Sequence, residues 1–492
     1  MNPELLEIKN QLTELEAEMQ EVSKKYKDLL GRVDPSQQES AKNLLHYLIL
    51  RKTPIQELQA QLHRFGLSSL ASCESHTLHQ IQVTLERLGL DFSASSAVTM
   101  EFGSQKIKAS SEHLFGSHLQ EWPTSVMVTF DKSFLREKDL VRSLLKNGMG
   151  VARINCAHDE ELIWLQMIKE IRKESRKSGI PCKIHLDLAG PKIRTVLLKK
   201  GKESGRVEID KGEKFWLSDS GEGFSDKDVV VSPNEKGVVE ALNVGERVFI
   251  DDGLILTRVL KKNKRGALLT VERNSAKKNR LKEEKGINFP DSELKVPALT
   301  DFDRACLPFA VEYADTVGFS FVKSPEDLIM LRTEMRKLSD EIPPVILKIE
   351  THEAVVNLPE LLLEGMKEEF FGVMIARGDL AVEIGFERLV EIQEEISWLC
   401  EAAHVPVIWA TQVLENLHKF GVASRAEITD AGRAAMAECI LINKGNHTLE
   451  VLKTLKDIAK RSRALKKKNR LVFRPLKIAE HFFEKIAQHG FS

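Results

Sequence analysis

At 492 residues the chain is too long for one simple core, and its 42% hydrophobic content makes the bulk globular. Lysine plus arginine total 72 against 73 aspartate plus glutamate, a net charge of −1 that gives no reason to expect nucleic acid or an anionic membrane as the main partner. The six cysteines lack metal-ligand spacing and no run of 18 apolar residues or apolar leader occurs, so a cytoplasmic protein with small buried thiols is expected.

Residues 1–93 read as a helical domain. Leu5, Ile8, Leu12, Leu15, Met19, Val22, Tyr26 and Leu29 alternate spacings of three and four, the a/d pattern of a heptad helix. So narrow a stripe needs a partner. Either a second chain supplies it, giving a homo-oligomer through a coiled coil, or the helical stretches at 41–51, 54–65 and 77–88 do. The serine-rich stretch 94–120 reads as a linker.

From Ser125 the texture changes to short apolar runs alternating with amphipathic helices. Eight strands are expected: 126–129, 151–155, 183–187, 316–319, 345–348, 372–375, 406–409 and 439–442. Alternating β and α units with near-continuous apolar strands argue for a parallel sheet, and eight of them favour a (β/α)8 TIM barrel over 121–194 and 297–463. Between them, 195–296 becomes all-β and turn-rich, with strands expected at 206–209, 214–217, 247–250, 254–260 and 267–273. This insertion after the third strand reads as a small lid domain hinged at Pro191 and near Pro297. Residues 464–492 read as a basic tail ending in a helix at 478–489.

The chemistry gathers at strand ends. Lys348 and Glu350, two apart in Ile346-Leu347-Lys348-Ile349-Glu350, face the same way. Further runs end in Arg377-Gly378-Asp379 and in Thr411-Gln412. One rim would then carry a lysine, two carboxylates and a hydroxyl. Two carboxylates with substrate oxygens are a usual way to hold Mg2+, with Mn2+ as a substitute, and a lysine beside them suits a transferring phosphoryl group. Blander readings exist: Lys348 and Glu350 as a surface pair, Thr411 bonded to backbone, Lys285 in a solvated loop, and His158 and His352 as rim hydrogen-bonders rather than metal ligands.

Further along the chain, Arg153-Ile154-Asn155-Cys156-Ala157-His158 resembles R-x-N-x-S-H, and Asp187 to Arg194 (DLAGPKIR) resembles D-x-x-G-P-[EK]-I-R. Asp251-Asp252-Gly253, Lys285-Gly286-Ile287-Asn288-Phe289-Pro290, Ser320-Phe321-Val322, Lys348-Ile349-Glu350, Ala376-Arg377-Gly378-Asp379-Leu380, Ala410-Thr411-Gln412 and Ser424-Arg425-Ala426-Glu427 resemble DDG, KGVNLP, S-F-[VI], KIE, ARGDL, ATQ and TRAE. In this order they resemble the pyruvate kinase family from about Ser125 to Asp457.

The resemblance implies conversion of phosphoenolpyruvate and ADP to pyruvate and ATP with Mg2+. It implies Lys348, Thr411 and Arg153 as catalytic groups. Arg153, Arg377, Gly378, Asp379 and Thr411 would bind substrate, Glu350 and Asp379 would bind metal, and Arg194 and Lys285 would face the nucleotide. A monovalent-cation site is implied at Asn155 and Asp187, but Ala157 and Leu188 replace two oxygen ligands, and Lys192 stands where potassium-independent members carry lysine. No potassium requirement is therefore expected. Thr129-Phe130-Asp131-Lys132 replaces T-I-G-P, and Lys444 replaces an acid at the last strand. The family's C-terminal effector domain is not expected here, nor control by a sugar phosphate. An enzyme with an altered acceptor, or an inactive scaffold, are the alternative readings.

Overall fold

Eight apolar runs close on themselves because each is buried on both faces and has no polar side to leave in water. A computed structural model describes residues 2–92, 96–116, 124–137, 139–201, 207–275, 280–464, 466–467 and 470–471. The helix expected at 478–489 lies outside them. The barrel strands are β1 (Ser125–Phe130), β2 (Met149–Asn155), β3 (Lys183–Asp187), β4 (Thr316–Phe319), β5 (Val345–Ile349), β6 (Gly372–Ala376), β7 (Val407–Ala410) and β8 (Cys439–Ile442). Each pairs in parallel with its sequence neighbours, and β8 returns to β1 to close the ring. All eight coincide with the expected runs to within a residue or two at each end.

Inside the ring, period-two alternation stacks a polar layer on an apolar one. Met127, Val151, Ile346, Met374, Ile408 and Leu441 pack together toward the floor. Two residues further along β2 and β5 stand Arg153 and Lys348, and two beyond Lys348 stands Glu350. The floor is sealed by Leu114 and Phe115, both at most 1% exposed, from the helix Met100–Phe115. That helix occupies most of the stretch read as a linker. Its Gly103 explains the misleading composition, because a Cβ there would lie 2.8 Å from Ser75 and 2.9 Å from the His404 ring.

The heptad helix Pro3–Lys25 packs on Gln38–Lys52, Gln56–Arg64 and Thr77–Arg87 of its own chain. Ile8, Leu12, Leu15 and Met19 are buried there, while Tyr26 is 41% exposed. The stripe is thus filled from within the chain, and a coiled coil is not needed to cover it. These helices dock on the barrel through polar contacts: Asn43 Nδ2 donates to Ala402 O at 2.8 Å, and His404 bridges Ser40 and Ser75 O at 2.9 Å each. No helix among the described residues is long and apolar enough to cross a membrane.

The insertion is a seven-stranded sheet in the order Ile287–Asn288, Arg247–Ile250, Ile255–Asn263, Gly266–Arg273, Lys214–Leu217, Val229–Pro233, Thr195–Lys200. It has its own apolar core, including Phe215, Leu217, Val248, Ile250, Leu269 and Ile287. Sequence reasoning missed Thr195–Lys200 and Val229–Pro233. The outgoing and returning chains form a two-stranded neck: Ile287 N donates to Ile193 O and Thr195 N to Lys285 O, each at 2.8 Å.

Candidate active site

The polar layer centres on Asp187, at the tip of β3 and fully buried. Its Oδ2 accepts from Arg153 Nε at 2.9 Å, from Arg153 Nη2, and from Lys348 Nζ at 3.3 Å. Burial would raise this carboxyl, but the Lys348 and Arg153 charges outweigh it and hold it well below the usual carboxylate range. Gly318 on β4 makes the space, since any Cβ there would overlap Asp187 Oδ1. Arg153 Nη1 donates to Thr129 Oγ1 at 3.1 Å, and Thr129 in turn donates to Ile442 O.

Lys348 Nζ also reaches Ser320 Oγ at 2.6 Å and Glu350 Oε1 at 3.3 Å. Burial works to lower this ammonium, and Asp187 and Glu350 overcome it, so its pKa is raised and its charge secure. Glu350 accepts the Phe321 N–H at 2.8 Å. Its pKa is raised, chiefly by burial, with Asp379 adding to the effect against Lys348.

Asp379 lies in the first turn of the helix Arg377–Ile384. Asp379 and Glu350 act on one another through their charges, and these are the two carboxylates that could hold a divalent cation. Among the described residues no three His, Cys, Asp or Glu side chains form a metal cage.

Thr411 follows β7 with φ +67°, and Gln412 follows with +56°, a left-handed pair that β-branched threonine rarely adopts. Its Oγ1 is buried without a hydrogen-bond partner, and a Cβ built on Gly378 would lie 3.8 Å from it. Lys348, Glu350, Asp379, Thr411, Gly378 and Arg153 are therefore all set at the C-terminal end of the barrel strands.

Other expected residues are placed differently. The Arg377 guanidinium stacks over Trp409 with 5.0 Å from its carbon to the ring centroid. It binds Asp430 Oδ1 at 2.6 Å, Ala410 O at 3.1 Å and Thr411 O. It anchors the tip of β7 rather than facing open space. Lys285 Nζ pairs with Asp251 Oδ1 at 2.8 Å, and Arg194 Nη1 donates to Glu284 O at 3.1 Å, so both are tied to the lid and neck. Asn155 Oδ1 accepts the Ala157 N–H at 3.0 Å. Lys192 does not join Asn155 and Asp187. Its Nζ lies 2.9 Å and 3.0 Å from the two Asp379 oxygens. The Oδ1 contact is an ionic approach rather than a directed hydrogen bond.

Sequence reasoning overlooked Ser320 and the Phe321 N–H as partners of Lys348 and Glu350. Their signal was position, directly beyond β4. Asp430 carried no such signal. The Ser424-Arg425-Ala426-Glu427 motif is a capping box that starts the helix Arg425–Ala434, with Ser424 N donating to Glu427 at 2.9 Å. Asp131 and Lys444, two departures from the motif pattern, face one another across β1 and β8 at 3.6 Å.

Comparison with known proteins agrees with this architecture. The family description "Pyruvate kinase, barrel domain" matches residues 123–448. The chain is 32% identical to the pyruvate kinase of Thermotoga maritima over 332 residues, 65% of this chain and 67% of that protein. It is 32% identical to the Bacillus licheniformis pyruvate kinase over 356 residues, 70% of this chain and 58% of that one. For pyruvate kinase PKLR of Homo sapiens the figures are 33% over 358 residues, 69% and 60%. The chain thus spans about three fifths of the length of most of these relatives. With a closed eight-stranded barrel, an inserted β sheet and a matched segment covering most of the barrel, the chain belongs to the pyruvate kinase family.

Proposed function

We propose that the protein transfers the phosphoryl group of phosphoenolpyruvate to ADP, giving pyruvate and ATP, with Mg2+ and without potassium, in a reducing cytoplasmic setting. The observation that carries this reading is the convergence of Arg153, Lys348, Glu350, Asp379 and Thr411 on one rim. A scaffold has no physical need for buried charges held this way.

Arg153 has five N–H donors, and Asp187 and Thr129 take three, which leaves two for a phosphate. Lys348, fixed by Asp187, Ser320 and Glu350, faces the moving phosphoryl group as a preorganised charge. Glu350 and Asp379 would hold Mg2+, which would supply positive charge to the anionic substrate. The Thr411 hydroxyl offers the carboxylate a hydrogen bond and lies beside the enolate carbon that must gain a proton. Gly378 lets the backbone approach that carboxylate. Arg194 and Lys285 meet the nucleotide phosphates as the lid comes over the rim.

Potassium independence rests on Asp187 rather than on Lys192. Arg153 and Lys348 already neutralise that carboxylate, and Ala157 and Leu188 offer no side-chain oxygen. An altered acceptor is the second reading, favoured by the Asp131–Lys444 pair and by Lys132, 4.0 Å from Asp159, where the motif pattern has a Gly-Pro turn.

The test is pyruvate release from phosphoenolpyruvate and ADP with Mg2+, with potassium present or replaced by a tetraalkylammonium ion. Turnover unchanged by potassium and reduced at least ~10³-fold in Lys348→Met is expected. Tight phosphoenolpyruvate binding with no turnover on any nucleoside diphosphate would turn the reading to another acceptor.

A further inference from the structure

Lys192 connects two parts of the molecule that substrate binding has to bring together. It leaves the barrel just before the neck. Its ammonium meets both oxygens of Asp379 at 2.9 Å and 3.0 Å, and lies 3.6 Å from Asp252 Oδ1 in the lid turn. The stem passes Gly286 on the returning side of the neck, where a Cβ would stand 2.8 Å from Lys192 Cε. A side chain there would push the lysine stem aside. The turn it touches is itself held in left-handed backbone, at φ +57° for Asp251 and +55° for Asp252. Gly253 then abuts the ring of Phe386, two residues beyond the helix that carries Asp379, with a Cβ position 3.2 Å away.

An ammonium hydrogen-bonded to one oxygen of a carboxylate and held by charge against the other occupies the side that a divalent cation needs. The geometry points to Lys192 as a positioning residue that clasps Asp379 to the lid turn and competes with the divalent cation for Asp379. The inference rests on the reading of Asp379 as a metal ligand. Its consequence is a coupling: whatever takes Asp379 from Lys192 also frees the Asp252 turn, and whatever pins the turn weakens metal binding by the same factor.

Mn2+ is the probe, with the free ion counted by electron paramagnetic resonance during titration of the full chain. Hydrogen exchange is followed over residues 251–254. Lys192→Met is expected to bind Mn2+ about tenfold more tightly than wild type, within the usual range of such couplings. Lys192→Arg keeps a cation in place and is expected to stay near wild type. Mn2+ should speed exchange in the 251–254 turn of wild type, whereas in Lys192→Met the turn should exchange fast without metal. Asp252→Asn should speed that exchange and tighten Mn2+ binding in the same direction as Lys192→Met, which covers the case of a poorly folded Lys192→Met.

Unchanged or weaker Mn2+ binding in Lys192→Met, with binding abolished in Asp379→Asn, would overturn the competition and leave the metal reading intact. Full Mn2+ binding in Asp379→Asn would overturn the metal reading and the inference with it.

Discussion

Thr411 is kept in an unfavourable state by its surroundings. Its backbone is left-handed at φ +67°, and its hydroxyl is buried with no partner. A buried unsatisfied hydroxyl costs about 1–3 kcal/mol, a cost that a ligand hydrogen-bonded to Thr411 would remove. Thr411→Ala should lower turnover at least ~10-fold yet melt no lower than wild type, because it removes the unpaired group along with the function. Parallel kinetics and thermal melts decide this, and a clear loss of stability would count against it. Glu383 is a second such residue, one turn beyond Asp379 on the same helix. Burial pushes its carboxyl up to about 7, against the Asn288 hydrogen bond at 2.9 Å and with Glu353 adding to the rise. The unfolded carboxyl titrates near 4.5, so between 4.5 and about 7 the folded chain keeps a proton that the unfolded chain loses. Stability therefore falls as pH rises through that window and stays lower above it. Glu383→Gln should be more stable than wild type by ~2 kcal/mol at pH 8, and the gain should shrink as pH falls and vanish below about 4.5 in urea melts. Lys348 and Glu350 were legible because strand period alone sets them on one face. Lys192 was not, because its partners come from the helix after β6 and from the lid.

Among elements, the amphipathic ones declared themselves and the small-residue ones did not. The strands β1–β8 are mostly apolar and almost wholly buried, a signal that survives without any tertiary information. The helix Met100–Phe115 carries Gly103, Ser110 and Ser111 where it lies close to its neighbours, and close helix contact uses the same residue types as a flexible link. Thr195–Lys200 sits at the edge of the lid sheet with mostly half-buried residues, so no clean alternation marks it. The heptad stripe of Pro3–Lys25 was read correctly as a face in need of cover, but periodicity cannot say whose residues cover it. Burial of Leu12 against the chain's own helices makes the outcome testable. Leu12→Ala should cost ~2–5 kcal/mol, and the melting midpoint should not move with protein concentration over a hundredfold dilution series. A midpoint that rises with concentration would argue for cover by a second chain.

At the scale of the whole molecule, the (β/α)8 architecture was legible from alternation, whereas the site's wiring required the closed ring. Asp187 and Lys348 meet across 161 residues of chain, and Arg153 reaches Asp187 across 34. Apolar pattern predicts that such residues share a rim, but not which oxygen each charge will take. The neck adds a constraint of the same kind. Because the outgoing and returning strands hydrogen-bond to each other at Ile193–Thr195 and Lys285–Ile287, the sheet they carry is joined to the barrel by one ribbon rather than two independent tethers.

The seam between β1 and β8 bears on how the chain comes into being. Thr129 donates to Ile442 O across 313 residues, so the last pairing to form waits for nearly the whole barrel sequence. Contacts this distant carry a large loop-closure entropy and form slowly. Helices and neighbouring strands can assemble as the chain leaves the ribosome, while Arg153, which leans on Thr129, gains its final setting only after the ring shuts. On dilution from denaturant, helical circular dichroism should return well before the proposed phosphotransfer activity does. Simultaneous recovery of the two signals would mean that the ring closes early.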